Sequence, residues 1–398
     1  MKHNALAIAA LALAEVLTAC NSKQDNITDR VELPGTVDNE AFADCIESID
    51  VLNLQMDDDW TFIDYPRIAT GDNYIYFLDD RQVRLVCFNR QTGEKQSGRT
   101  VKGNGPGELL YMSSMFCNGD TLCVYDSKGI ILQYDQKLSF LGKLHELGED
   151  MSRYNVQQFG SKNYALVTTG GGDDEPILVT DKQFNILSRH FPVQERHNSL
   201  GSGVSRPYYS KGDTVRGFLA SDNRIFALCG ETESCTELVV PNPLPAEVMQ
   251  KATYGEIDFQ TVFEYDGMFG NLTESGRFVS FVYNCDRMRY TSLLDKRTNS
   301  VVSIPADGGN TDNAAGILAD FFNKTTIFQT DGKYIYTKAQ NARMAELIEG
   351  HDDVLDARLK ATQAQYRAYL ERNAEFLKGL EPEERKATNV ILKIKLKD

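Results

Sequence analysis

The feature that most restricts this 398-residue chain is a recurrence: short β-type runs come in fours, at a period of about 40 residues, with turn residues between them. The first group is Arg67-Ile68-Ala69, Tyr74-Ile75-Tyr76-Phe77-Leu78, Arg84-Leu85-Val86-Cys87-Phe88 and a run around Lys95 to Val101. Thr70-Gly71-Asp72-Asn73, Asp79-Asp80-Arg81 and Gln91-Thr92-Gly93 punctuate it. The second group is Met112 to Cys117, Thr121 to Tyr125, Gly129 to Tyr134 and Phe140 to Leu144. A four-stranded sheet of this length cannot bury both faces alone, and radial repetition about a channel lets each sheet cover its neighbours. The pattern therefore predicts an all-β fold, a six-bladed β-propeller. Further units fall at about 153 to 195, 204 to 240 and 257 to 305, and a sixth starts near 316, with Thr326 to Gln329 and Lys333 to Tyr336.

The sixth unit lacks its outer strands locally, because helical composition takes over from Ala339 to Leu380. Met344, Leu347, Ile348, Leu355, Leu359, Tyr366, Tyr369, Leu370 and Leu377 recur at helical spacing, broken at Gly350-His351-Asp352-Asp353, which reads as the end of one helix and the cap of the next. This predicts a helical excursion, 339–380, packed on the propeller. After Pro382 the chain ends in Val390 to Lys397, alternating apolar and Lys, a strand with one wet face. The simplest closure makes 389–397 the third strand of the last blade and 45–54 its fourth.

Between the first two groups lies Lys102-Gly103-Asn104-Gly105-Pro106-Gly107-Glu108-Leu109. Three glycines permit positive φ or close approach, and Pro106 fixes its own φ. A phosphate cradle would need Gly-Lys-Ser/Thr or G-x-G-x-x-G opening a helix, and neither is present. The stretch reads as a rigid connection between blades.

Met1 to Cys20 has a short basic start, an apolar run from Ala5 to Ala14 and then Leu17-Thr18-Ala19-Cys20, a secretory signal over 1–19 that is too short to span a bilayer. Residues 20–43 are polar, contain Pro34 and Gly35, and read as a flexible tether. The propeller is expected over 44–398. Forty-two Lys and Arg against 57 Asp and Glu give a net charge of −15, which argues against nucleic acid as a partner. Cys117 with Cys123, and Cys229 with Cys235, are spaced to face each other across hairpins, or to be buried free thiols on strands.

Leu17 to Cys20, the Gly103-to-Leu109 segment, the repeated Tyr-Ile-Tyr strands and the terminal Val390-to-Leu396 strand together resemble the TolB-like six-bladed β-propeller lipoproteins of anaerobic bacteria. The resemblance implies lipidation at Cys20, a membrane held through that lipid, and a place in the cell envelope, at the outer rather than the inner membrane. It implies little chemistry.

Loops joining second to third strands, and those leading to the next blade, share one face of a propeller, where ligands usually enter. The candidate ligand-binding residues are Lys102, Asn104 and Glu108 with Arg81, and Arg67, Arg206, Tyr208 and Tyr209 at the channel rim. Glu108 is equally suited to accepting hydrogen bonds from loop amides. His145, His190, His197 and His351 are scattered, Gly201-Ser202-Gly203 lacks nucleophile-elbow context, and Asp173-Asp174-Glu175 reads as a solvated hairpin tip rather than a calcium site. No metal or cofactor is expected. The expected function is non-catalytic binding of a glycan, a peptide or an outer-membrane protein, with a channel-based lyase or hydrolase as the alternative.

Overall fold

The computed structural model describes residues 27–57, 67–79, 83–110, 112–126, 128–147, 154–161, 163–168, 177–191, 208–219, 223–306, 311–324, 326–349 and 351–398. Six separate sheets account for the strands. Sheet I holds Arg67–Thr70, Tyr74–Asp79, Arg84–Asn89 and Lys95–Thr100; sheet II holds Met112–Asn118, Thr121–Asp126, Ile130–Tyr134 and Phe140–Glu146. Sheet III holds Tyr154–Phe159, Asn163–Thr168, Ile177–Thr180 and Ile186–His190. Sheet IV holds Tyr208–Lys211, Thr214–Leu219, Arg224–Cys229 and Thr232–Val239, and sheet V holds Gly267–Ser275, Phe278–Cys285, Met288–Asp295 and Ser300–Pro305. Sheet VI is assembled from both ends of the chain: Thr326–Thr330, Ile335–Gln340, Asn389–Leu396 and Ile46–Val51, in that order.

Within every sheet these strands pair antiparallel with their neighbours. The first strand of each sheet also touches the first strand of the next, and that of sheet VI touches that of sheet I. Asn389–Leu396 pairs with Ile335–Gln340 on one side and with Ile46–Val51 on the other, in the register Leu392 opposite Val51 and Ile394 opposite Ile49. Val390, Ile391, Leu392, Ile394 and Leu396 are all buried, so the alternation with Lys read from the sequence marks a strand whose apolar side is sealed.

The tether expected over 20–43 is ordered from Ile27 onward. Ile27–Glu32 runs parallel along the outer strand of sheet IV, with Val31 opposite Leu238, and Thr36–Val37 does the same on sheet V. Asp38 then caps helix α1 (Asn39–Asp44), accepting from the amides of Glu40 and Ala41 at 2.7 and 3.2 Å. Polar composition misleads here because an edge-adding strand needs mainly backbone donors and acceptors. Val31 and Leu33 supply its buried contacts.

Six further helices are described: α2 (Ala246–Thr253), α3 (Ala314–Lys324), α4 (Asn341–Ile348), α5 (Ala357–Arg372), α6 (Ala374–Gly379) and α7 (Pro382–Ala387). Helix α3, at the expected start of the sixth unit, packs Ile317, Leu318 and Phe321 into one core with α1, α4, α5 and sheet VI. The break in the excursion is as expected, but the cap is Asp356, which accepts from the Leu359 amide at 3.0 Å, rather than Asp352 or Asp353.

Helix α5 does more than pack an apolar stripe. Along one face Arg358 donates to Ile46 O at 2.7 Å and Thr362 to Ile49 O at 2.6 Å, while Gln365 Oε1 accepts from Val51 N at 2.7 Å. Arg372 and Asn373 continue the row to Asn53 O and Leu54 O at 2.8 and 3.0 Å. Fourteen residues of helix rise about 21 Å and seven of strand about 23 Å, so the two repeats stay in step. Side chains of a helix thus satisfy the edge of sheet VI as a further strand would.

Sheets IV, V and VI therefore have covered outer edges, by Ile27–Glu32, Thr36–Val37 and α5. In sheets I, II and III the pairing of third and fourth strands carries a register shift, at Cys87/Phe88, at Ile131/Leu132 and Gln133/Tyr134, and at Val179/Thr180. Register is regular at the equivalent pairing in IV and V, which a strand covers, and shifts at Lys395/Leu396 in VI, which a helix covers. A bulge spoils an edge as a template for another strand.

The seven described cysteines are free. Cys229 lies opposite Thr232 and Cys235 opposite Phe226, while Cys123 lies opposite Phe116 and Cys117 opposite Leu122, so neither hairpin sets its two thiols face to face. Burial pushes the Cys87 and Cys123 thiols up to about 12.

Candidate functional site

The connection from Lys102 to Leu109 is a rigid turn, as its glycines and proline imply. Leu109 N donates to Val101 O at 2.7 Å, and Glu108 Oε2 accepts from Gly105 N at 2.8 Å. A Cβ on Gly103 would lie 2.0 Å from that carboxylate, and one on Gly107, at φ +74°, would lie 2.6 Å from the Phe140 ring. Tyr134 clamps the same turn by donating to Gly107 O at 2.9 Å. Glu108 therefore holds its own loop, and Lys102 and Asn104 are exposed beside it. Arg67 sits half-buried on the first strand of sheet I. Arg81, Arg206, Cys20 and the Asp173-Asp174-Glu175 tip lie outside the described residues; Tyr208 and Tyr209 are on the first strand of sheet IV. Lys102, Asn104 and Glu108 thus share one connection, and Arg67 and Tyr208-Tyr209 lie on first strands of two other sheets.

A cleft of about 600 Å³ lies elsewhere, where sheets VI and I meet α5. Its turns are 331–334, joining first to second strand of sheet VI, and 90–94, joining third to fourth strand of sheet I. In antiparallel sheets these turns sit at the opposite strand ends from the Lys102-to-Leu109 connection.

Arg90 organises this cleft. Its guanidinium donates to Gly71 O at 3.1 Å and to Asp331 Oδ2 at 2.6 Å, with Tyr336 Oη at 3.4 Å. Tyr336 donates to the same Asp331 oxygen at 2.9 Å, and Asp331 Oδ1 accepts from the amides of Lys333 and Tyr334 at 3.0 and 2.8 Å. A single carboxylate, its side chain 10% exposed, so joins an Arg of sheet I to a Tyr and a turn of sheet VI. Burial, followed by the charge of Asp331, pushes the Tyr336 phenol well above its ordinary value, with Arg90 opposing, so it stays a donor.

The Tyr-Ile-Tyr repeat acquires its meaning here. Tyr76, the counterpart of Tyr336 in sheet I, donates to Asp120 O of sheet II at 2.7 Å, while Asn73 N donates to Asp120 Oδ1 at 2.7 Å. In both units the second tyrosine ends in a bond that ties one sheet to the next.

Burial raises the phenols of Tyr76, Tyr125, Tyr134, Tyr283, Tyr336, Tyr366 and Tyr369. A group whose folded pKa is raised stabilises the fold below its unfolded pKa, about 10 for tyrosine, and that stability is lost as pH climbs toward the folded value. Alkaline titration should therefore unfold the protein above about pH 10, and absorbance at 295 nm from these tyrosinates should rise together with loss of the far-ultraviolet signal. Full ionisation with the fold intact would refute the burial argument.

The remaining cleft lining sets cations and an aromatic ring beside Val51, Leu52, Leu54 and Ile75. Lys393 Nζ stands 4.8 Å and Lys333 Nζ 5.1 Å from the centroid of the Tyr334 ring. Asp50 Oδ2 is 3.8 Å from Lys393, while its Oδ1 accepts from Gln365 at 3.0 Å. Asn53, Gln91, Thr92 and Gly93 complete the rim. Sequence reasoning missed this site because its members come from residues 50–54, 90–93, 333–336, 365 and 393, with no spacing that marks them as neighbours.

A second polar convergence is closed. Glu274, on the first strand of sheet V, receives Arg216 of sheet IV at 2.9 Å and Lys296. The carboxylate is clamped by two cations and serves to join two sheets.

Mostly β structure, repeated four-stranded sheets and touching first strands define a propeller-like protein. The family model of DUF4934, a domain of unknown function, matches residues 28–369, and the chain belongs to that family. Among solved structures, a protein of Bacteroides fragilis described as exported is 18% identical, with a TM-score of 0.66 over 93% of this chain and all of the other. A DUF4221 family member of Bacteroides vulgatus is 7% identical, with a TM-score of 0.53 over 89% of this chain and 98% of the other. These likenesses concern the fold. No curated protein matches. Among the described residues no helix is long and apolar enough to cross a membrane, and no group of three or more His, Cys, Asp or Glu is placed to hold a metal ion.

Proposed function

We propose that this protein is a non-catalytic binding propeller of the bacterial cell envelope, of TolB-like six-bladed type, and that the cleft between sheets VI and I takes a small polar ligand such as a glycan or peptide fragment. The ring of touching first strands and the pairing of Asn389–Leu396 with Ile46–Val51 support six blades closed by the two ends of the chain. The observation that carries the binding reading is the cleft itself: about 600 Å³, within the range of ligand sites, with an aromatic ring, ammonium groups and amides around it. Asp331, half-buried behind the wall, is held by four donors and positions it, which suits a fixed binding surface more than proton transfer.

Export and lipidation at Cys20 fit this reading. Asn21 to Asn26 would then separate the anchor from Ile27, a reach of at most about 20 Å at about 3.5 Å per residue. The outer edge of sheet IV, where Ile27–Glu32 lies, would face the bilayer. Sheet I stands across the ring from sheet IV, so the cleft would open away from the membrane.

A thermal-shift screen of the mature chain against neutral and charged glycans and peptides tests the binding reading. A ligand at a hundred times its Kd should stabilise the protein by about 2.7 kcal/mol, and Gln91→Trp, which fills the cleft mouth, should abolish the shift. A shift that survives Gln91→Trp would place binding elsewhere and overturn the assignment.

A further inference from the structure

We infer that the cleft between sheets VI and I selects an acidic saccharide, one carrying carboxylates on a polyhydroxy ring, of one or two sugar units. The inference rests on the cleft being the ligand site. The protein carries a net charge of −15, yet the charged side chains lining this cleft are Arg90, Lys333 and Lys393 against Asp50, with Asp331 behind Arg90. A local cationic lining inside an acidic molecule is a departure from the whole surface, and it points to a ligand of opposite sign.

The three cations are not equivalent. Arg90 is spent on Asp331 and Gly71 O and keeps about a third of its side chain exposed, so it forms the charged floor. Lys333 is exposed and its described contact is the Tyr334 ring; Lys393 combines that ring with Asp50 at 3.8 Å, longer than a hydrogen bond. Both ammonium groups therefore hold donors that a carboxylate would use, in charge-assisted bonds stronger than neutral ones. Tyr334 holds both ammonium groups near its ring, reducing the freedom lost on binding. The ring hydroxyls of a sugar suit the polar rim of Asn53, Gln91 and Thr92, where a fatty acid would strand those groups without partners. A long acidic peptide would extend past a cleft of about 600 Å³ onto the acidic surface, which repels it.

The test is calorimetric titration of the mature chain with sodium galacturonate and digalacturonate, with galactose and digalactose as neutral counterparts, at about 0.05 and 0.5 M NaCl. The acids should bind at least about tenfold more tightly than the neutral sugars and lose affinity at high salt. Lys333→Gln and Lys393→Gln, both at partly exposed positions that leave the core untouched, should each weaken the acids by about tenfold while leaving the melting temperature of the free protein unchanged. Gln91→Trp should remove binding altogether. Equal binding of neutral and acidic sugars, lost in Gln91→Trp, would overturn the acidic preference and leave the cleft as a ligand site. Acid binding that persists in Gln91→Trp, or no binding of the acids, overturns the inference; in the first case the cleft reading falls with it.

Discussion

A chain ending at Thr388 should not fold. It lacks Asn389–Leu396, the strand between Ile335–Gln340 and Ile46–Val51, and with it Val390, Ile391, Leu392, Ile394 and Leu396, each at most 1% exposed. Five buried aliphatic side chains at about 2 kcal/mol each come to about 10 kcal/mol, comparable to the whole stability of an ordinary domain, about 5–15 kcal/mol. Losing the middle strand also leaves the hydrogen bonds of two neighbours unmade. The truncated chain should show no cooperative urea transition, whereas Ile394→Ala, which leaves the strand but opens a cavity, should fold and lose about 3 kcal/mol. A truncated chain melting cooperatively near the wild-type temperature would show that sheet VI does not need its third strand. The result would also remove the support for closure by both ends of the chain.

Arg343→Met should cost about 3–5 kcal/mol at neutral pH, the second large effect. Asp320 is fully buried on α3 among Ile317, Leu318, Ala319 and Phe321, and Arg343 of α4 reaches its carboxylate. Met keeps most of the volume and removes the charge that Arg343 sets against the buried carboxylate. Burial without a cation raises a carboxyl's folded pKa above the unfolded value of about 3.9. The cost is then absent below the unfolded pKa, where both states are protonated, and grows with pH until the folded pKa is passed. The gap between wild type and variant, read from urea midpoints, should therefore be widest at pH 7 and shrink toward pH 4.5. Asp320→Leu with Arg343→Met should recover most of the loss, since apolar replacement of a buried pair is often neutral. A gap independent of pH, with no recovery in the double variant, would mean that Arg343 acts through packing alone.

Much of the fold was legible because strands announce themselves locally. The Tyr74-to-Leu78 and Arg84-to-Phe88 runs, the four-strand period and the apolar alternation of Val390 to Leu396 appear as strands at the expected places. The excursion after Ala339 is helical and packs on sheet VI. What the sequence concealed were elements whose partners are distant. Ile27–Glu32 reads as tether because its composition is polar, and becomes a strand only because sheet IV offers a regular outer edge some 200 residues away. Arg358, Thr362, Gln365 and Arg372 look like the wet face of an amphipathic helix, yet they meet the backbone of residues 46–53.

The candidate site was less legible than the fold. Loop chemistry singled out Lys102, Asn104 and Glu108, and Glu108 folds back over its own loop to accept from Gly105 N. The cleft instead draws on Asp50, Arg90, Lys333, Tyr334 and Lys393 from opposite ends of the chain. Only the repeated Tyr-Ile-Tyr hinted at it, through Tyr334 and Tyr336.

By itself the sequence determined most of the blade strands, the pairing of the two end segments in the last blade, where the helical interruption lies and that Lys102 to Leu109 must be a constrained turn, since periodicity, propensity and glycine geometry act within a few residues. The tertiary structure alone decided which edges are covered and that three cations and two tyrosines share a cleft. Those outcomes depend on pairings between residues hundreds of positions apart, and such pairings leave no local trace for a single sequence to display.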